Sequence, residues 1–211
     1  MESIWKGLEF IAHGGFMMVP LLLSALLAIS VILERLYTLQ RNYVTPRNVM
    51  LKIFEQVKAQ KLQEAEKICQ NCHTPVADVL SAGIGHFQNS MEEMELAMKN
   101  RAEEWVPLLE KRIEVIDTVI TAAPLMGLLG TITGMMASFR VLSEKGVNEP
   151  NAITGGVAEA LIATATGLVI ALVCLVAYNF LSARVKTYIY EVESMASRLV
   201  ELRLSVERGK K

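Results

Sequence analysis

Two apolar runs constrain this chain more than anything else in it: residues 121–139, TAAPLMGLLGTITGMMASF, and residues 155–179, GGVAEALIATATGLVIALVCLVAYN. Each is long enough to cross a bilayer as a helix, yet each is studded with Gly, Ala, Ser and Thr instead of being filled with Leu and Ile. Such helices are built to touch protein. Gly130 and Gly134 form a small-xxx-small pair, as do Ala160 with Thr164 and Ala163 with Gly167, so each helix carries a flat strip that another backbone can approach. Ordinary packing explains the strip but not the polar groups. Thr131, Thr133, Thr164 and Thr166 lie deep in the spans, and Glu159 stands at the start of the second run. An ionisable residue inside a span is costly unless it faces protein or water, which makes it a functional-site candidate.

The segment APLMGLLGTITGMMASF, a short loop, GGVAEALIATATGL and the closing Tyr178-Asn179 resemble the signature of the ExbB/TolQ/MotA proton-channel family, closest to its ExbB and TolQ branches (biopolymer transport protein ExbB-like). The specific motifs cover residues 123–179. In layout the resemblance covers the whole chain: one early span, an insert, a two-span hairpin and a helical tail.

Composition sets the class independently. With 52 % hydrophobic residues and 20 % charged, the 211-residue chain is too apolar for a routine soluble domain and too charged for a purely intramembrane one. The formal net charge of −1, with no basic block standing alone, argues against a nucleic-acid surface. Residues 16–33 form a third uncharged run, preceded by Lys6 as the only basic residue and by Trp5 and Phe10 as interfacial anchors. A cleaved signal peptide would need its small-residue site at Ala28-Ile29-Ser30, inside the apolar run, so an uncleaved span is the better reading.

Basic residues orient the spans. One precedes the first, eleven lie from Arg35 to Arg112, two (Arg140 and Lys145) follow the second span, and seven lie from Arg184 onward. The positive-inside tendency then places the N-terminus and the second loop outside, and the insert and tail in the cytoplasm. The expected layout is an all-α polytopic protein: a periplasmic segment 1–15, a first span 16–36, a cytoplasmic helical insert 37–112, a second span 113–140, a periplasmic loop 141–154, a third span 155–183 and a cytoplasmic tail 184–211.

In the insert, Thr45-Pro46 and Thr74-Pro75 each offer a hydroxyl at an N-cap with Pro at the first helical position, and Ser90-Met91-Glu92-Glu93 has capping-box spacing. From Ser90 the pattern runs through Leu96, Trp105, Leu108, Leu109 and Ile113 into the second span, predicting one long helix that Pro107 either kinks or breaks. In the tail, Val185, Ile189, Val192, Ala196, Leu199 and Val206 repeat every three or four residues, with Arg198, Glu201 and Arg203 between them. A third helix from Gly155 to Val206 would be roughly 75 Å long. Its apolar stripe needs a partner, either the Ser90 helix or a neighbouring subunit.

Cys69-Gln70-Asn71-Cys72-His73 matches the C-x-x-C-H haem-attachment string and half of a zinc site. A cytoplasmic location does not suit that haem chemistry, and His86 is the only further His nearby, so the match reads as chance and no cofactor or metal is expected. Cys174 lies in the third span, so the three cysteines imply no disulfide framework. His13, His73 and His86 fall on different segments and no phosphate-cradling Gly loop occurs. No enzyme is expected.

Geometry favours transport. Thr131 is about 12 Å below the outer end of its helix and Thr164 about 13 Å down the other, so the two hydroxyls sit at nearly one depth. Glu159 is about 8 Å further out and about 140° around from Thr164, whereas Thr166 shares the glutamate's face. Threonine does not titrate near neutral pH, and the spans carry no mid-membrane carboxylate, so a protonation cycle needs an acid from another protein.

The resemblance implies that acid's source: five copies ring a pair of single-span ExbD- or TolR-type helices, each with an essential aspartate. It implies that Thr131 and Thr164 line the space near that aspartate and that Glu159 is the family's glutamate. It also implies proton flow that turns the ring and drives a TonB- or TolA-type protein in the bacterial inner membrane, N-out and C-in. Pro124, Gly127, Gly130, Gly134 and Thr166 read as packing or further lining residues, and Asp117 as solvated or paired. Glu159 facing the pore and Glu159 snorkelling at the interface both remain open, as does a non-conducting scaffold.

Overall fold

The computed structural model describes the backbone of residues 15–145 and 150–208, and the side chains of all of these but 42, 145 and 150–153. Lys6, Trp5, Phe10 and His13 lie outside the described residues. Among the described residues seven helices follow in order: α1 (Met18–Asn42), α2 (Arg47–Lys58), α3 (Leu62–Gln70), α4 (Pro75–Gly85), α5 (Met91–Glu110), α6 (Ile113–Lys145) and α7 (Pro150–Arg208). α1, α6 and α7 are each long and apolar enough to cross a membrane. The chain divides into two units. One contains the described residues up to Leu33 and those of Arg112–Phe180; the other contains Glu34–Lys111 and the described residues from Leu181 onward.

The second unit has a core of large apolar side chains. Ile53, Phe54 and Val57 of α2 and Ala65 and Cys69 of α3 meet Val76, Val79 and Leu80 of α4, with Met94 and Met98 of α5. The end of α7 joins them through Val192, Leu199 and Leu202, so the tail's apolar stripe finds its partner within the same chain. Each of these side chains fully buried from water contributes about 1.5–3 kcal/mol before the entropy of ordering it. Arg203, expected on the polar side of the tail, is instead 6 % exposed. Its guanidinium donates to the backbone carbonyls of Asn89 and Ser90 and packs over the Phe87 ring, tying the end of α7 to the start of α5.

The helix-start signals divide in an informative way. Ser90 caps α5 as its spacing predicts, its Oγ accepting from the Glu93 N–H at 3.2 Å. Thr74 stands at the N-cap of α4 with Pro75 after it, but its hydroxyl makes no cap bond. Pro46, not Thr45, is the N-cap of α2. The two threonine hydroxyls are buried and bond each other at 2.6 Å, because a partner 29 residues away offers what a solvent-facing cap would otherwise supply.

One long helix from Ser90 into the second span does not form. Pro107 lies within α5 without ending it: the residue is exposed, and the Glu103 carbonyl it deprives of a partner is on a solvated face. The break comes at Lys111 and Arg112, where Lys111 turns extended and Arg112 takes a positive φ of 63°. That conformation costs a non-glycine residue roughly 1–2 kcal/mol, and it stands where the chain passes from one unit to the other.

Candidate functional site

In the first unit, α6 and α7 meet along a seam of small residues. On α6 the buried positions are Ala123, Gly127, Gly130, Gly134 and Ser138; on α7 they are Ala160, Ala163, Gly167, Ala171 and Cys174. Both sets step by three and four residues, which keeps them on one helical stripe. The approach is backbone to backbone. A Cβ added to Gly167 would stand 2.5 Å from the Ala123 carbonyl oxygen, one on Gly134 2.8 Å from that of Gly156, and one on Gly127 3.0 Å from that of Ala163. Gly130 has the same role against the Ala163 Cβ, at 2.6 Å. With lipid as the alternative neighbour, association rests on close van der Waals contact and interhelical hydrogen bonds, which is why small residues are placed here.

The hydroxyls in this region behave differently from one another. Thr164 Oγ1 leaves its own helix and donates across the seam to the Gly127 carbonyl at 2.9 Å. Thr131, one turn beyond Gly127 on α6, donates to its own helix at the Leu128 carbonyl (2.6 Å), and Thr166 likewise to Ile162 (2.8 Å). Thr133 bonds the Leu129 and Gly130 carbonyls. Each hydroxyl therefore spends its proton on a backbone oxygen and keeps only lone pairs to offer. Pro124 sits in α6 three residues before Gly127, half-buried.

Glu159 is half-buried, one residue before the first seam position of α7. Its carboxylate lies against the backbone of Gly15, where an added Cβ would coincide with it, at 1.4 Å from Oε1. Gly15 has a φ of +68°, so two independent constraints favour glycine there. Asp117 is exposed near the other end of α6. Among the described residues of the seam itself, from Ala123 to Ser138 and from Ala160 to Cys174, none carries a carboxyl, amine, guanidinium or imidazole group; the Cys174 thiol is the one ionisable group.

The structure brings Thr164 and Gly127 together, with Pro124 about one turn before Gly127 on α6, and sets Glu159 against Gly15, just before α1. Sequence reading missed Ser138 and Gly156 as seam members, although Gly134 and Ser138 have the same four-residue spacing that marked the others. A Cβ on Gly156 would meet Ser138 Oγ at 2.3 Å.

The two cysteines of the C-x-x-C-H string pack in the second unit, Cys69 in its core and Cys72 against it. Cys69 is 2 % exposed, and burial, with smaller contributions from Cys72, Glu66 and Asp78, pushes its thiol up to about 12. A thiol held protonated is neither nucleophile nor metal ligand at neutral pH. His73 is exposed, and among the described residues no group of three His, Cys, Asp or Glu side chains is placed to hold a metal ion.

Comparison with known proteins bears on this arrangement. Residues 71–194 match the model of a family described as the MotA/TolQ/ExbB proton channel family. The chain is 33 % identical over 168 residues to a putative biopolymer transport protein ExbB-like 3 of Synechocystis sp., covering 79 % of this chain and 80 % of the relative. It is 40 % identical over 87 residues to the biopolymer transport protein ExbB of Aquifex aeolicus, covering 41 % of this chain and 59 % of that one. To the Tol-Pal system protein TolQ of Haemophilus influenzae it is 41 % identical over 99 residues, covering 47 % and 42 % respectively.

Proposed function

The chain belongs to the MotA/TolQ/ExbB proton channel family, and from that premise we propose that it is the proton-channel subunit of an inner-membrane motor of the ExbB–ExbD or TolQ–TolR type. In this reading several copies, five by family resemblance, surround a pair of single-span partner helices, and the proton motive force drives work at the outer membrane such as TonB-dependent import. The insert and tail lie in the cytoplasm and the N-terminus outside.

The observation that carries the reading is the Thr164-to-Gly127 bond in a seam whose described residues include no carboxylate. A hydroxyl whose proton is already given to a carbonyl accepts a hydrogen bond but does not offer one. Thr164 and Thr131 therefore suit a neutral carboxylic acid or a water beside them better than a carboxylate. Such a lining favours the protonated state of a partner's aspartate within the membrane, which is the state that can cross it. One charge crossing 100 mV yields about 2.3 kcal/mol, enough to bias a rotation in steps. Glu159, beside Gly15, is the candidate for delivering protons from the outer side.

A second reading has its own support. Because Thr131, Thr164 and Thr166 all bond carbonyls of this same chain, the threonines also serve a membrane scaffold that only gathers partners. Replacing Thr131→Val and Thr164→Val together, which keeps shape and removes both hydroxyls, separates the two. The motor assembles with its partner but loses proton-driven activity; a scaffold keeps its activity unchanged.

A further inference from the structure

The second unit carries an apolar groove that the channel reading does not use. It runs between α5 and the end of α7 with a volume of about 580 Å³. Its floor is apolar, with Met98, Trp105 and Leu109 from one helix and Val192, Ala196 and Val200 from the other. Along α5 it extends from Glu95 to Leu109, about 21 Å at 1.5 Å per residue, the length of a helix of nearly four turns.

The two rims are built alike. Glu95, Lys99 and Glu103 edge the groove on α5, and Glu193, Ser197 and Glu201 edge it on α7, each set at a spacing of four. All six are exposed. Lys99 is engaged by Glu103 at 3.9 Å. Four carboxylates against one ammonium leave the rim strongly negative. Two helices with an open apolar seam and charged edges have the form of a helical bundle lacking one member, in which the edge charges choose the partner.

We propose that this groove docks a helix from a different protein chain, one whose apolar stripe is flanked on both sides by Lys or Arg. A second copy of this chain does not supply such a helix among its described residues. α2 and α3 carry lysines, but their apolar stripes (Ile53, Phe54 and Val57; Ala65 and Cys69) are buried in their own core. The end of α1 in this unit buries Arg35 and Leu39, and α5 and α7 are themselves the acidic rims. The proposal stands independently of proton conduction.

Trp105 on the groove floor reports occupancy. In the full-length chain carrying Trp5→Phe it is the sole tryptophan. Titrating a four-turn synthetic peptide of Leu and Lys, amphipathic and free of aromatics, is expected to shift Trp105 emission to the blue and to saturate. Substituting Glu95, Glu103, Glu193 and Glu201 together by Gln, all exposed and tolerable to the fold, is expected to weaken that binding about tenfold, as is added salt. No shift, or a shift that the Gln substitutions leave unchanged, overturns the proposal. So does a disulfide-linked dimer through Ser197→Cys in a Cys72→Ser background, since that outcome puts a second copy in the groove; absence of that dimer supports it.

Discussion

The two units of this chain solve the same packing problem in opposite ways. In the second unit, helices are held apart by Leu, Met, Phe and Val whose side chains interdigitate; in the first, α6 and α7 have almost no side chain between them. The difference follows from the solvent. Water rewards burial of large apolar groups, so a core of Leu80, Met94 and Leu199 drives its own assembly. Lipid gives no such reward, and helices associate there by bringing backbones close and by bonding across the gap, as Thr164 does to Gly127. A single helix, α7, carries both solutions: Ala160, Ala163 and Gly167 near one end, and Val192, Leu199 and Leu202 near the other.

Substitutions of opposite kind break the two halves. Gly167→Leu has the largest expected effect, because even one added carbon meets the Ala123 carbonyl at 2.5 Å; α6 and α7 separate, and engineered cysteines across the seam no longer cross-link. Gly155→Ala, where a Cβ meets nothing within 4 Å, is the matched control and leaves cross-linking intact. Leu199→Ala, at 0 % exposure, costs about 2–5 kcal/mol by leaving a cavity, and denaturation followed by Trp105 emission measures it. If Leu199→Ala were harmless and Gly155→Ala severe, the contrast between the units would be wrong. Thr164→Val sharpens the comparison at the small end. Losing one interhelical hydrogen bond in a membrane costs about 0.6 kcal/mol, a shift of thermal midpoint near the limit of detection, so any large loss of function in that variant is not a folding defect.

Much of this was legible in the residues, and what was not has physical causes. The small-residue spacing of Gly130 with Gly134 and of Ala163 with Gly167 marked the seam because lipid-facing and protein-facing stripes differ in composition along a helix. The capping role of Ser90 was legible because it is local: one hydroxyl and an N–H three residues on. Thr74 stands at the N-cap as expected, but Thr45 does not, and neither hydroxyl caps because their bond to each other joins distant segments that no local pattern encodes. Pro107 was expected either to kink or to break the helix, yet the helix tolerates proline on a wet face and the chain turns at Lys111 and Arg112 instead. Glu159 shows the same limit: its spacing fixes its face on α7, but its contact is with Gly15, from a segment 144 residues earlier in the chain.

The measurement closest to the central claim is proton flux into sealed vesicles under an imposed membrane potential, read with an entrapped pH-sensitive dye. The chain reconstituted alone is expected to pass no protons, since the described residues of its seam include no carboxylate to carry them. Reconstituted with a single-span ExbD- or TolR-type partner it is expected to conduct, and to stop when the partner's membrane aspartate becomes asparagine or when Thr131→Val and Thr164→Val are combined. Flux through the chain alone, undiminished by those changes, would contradict the account.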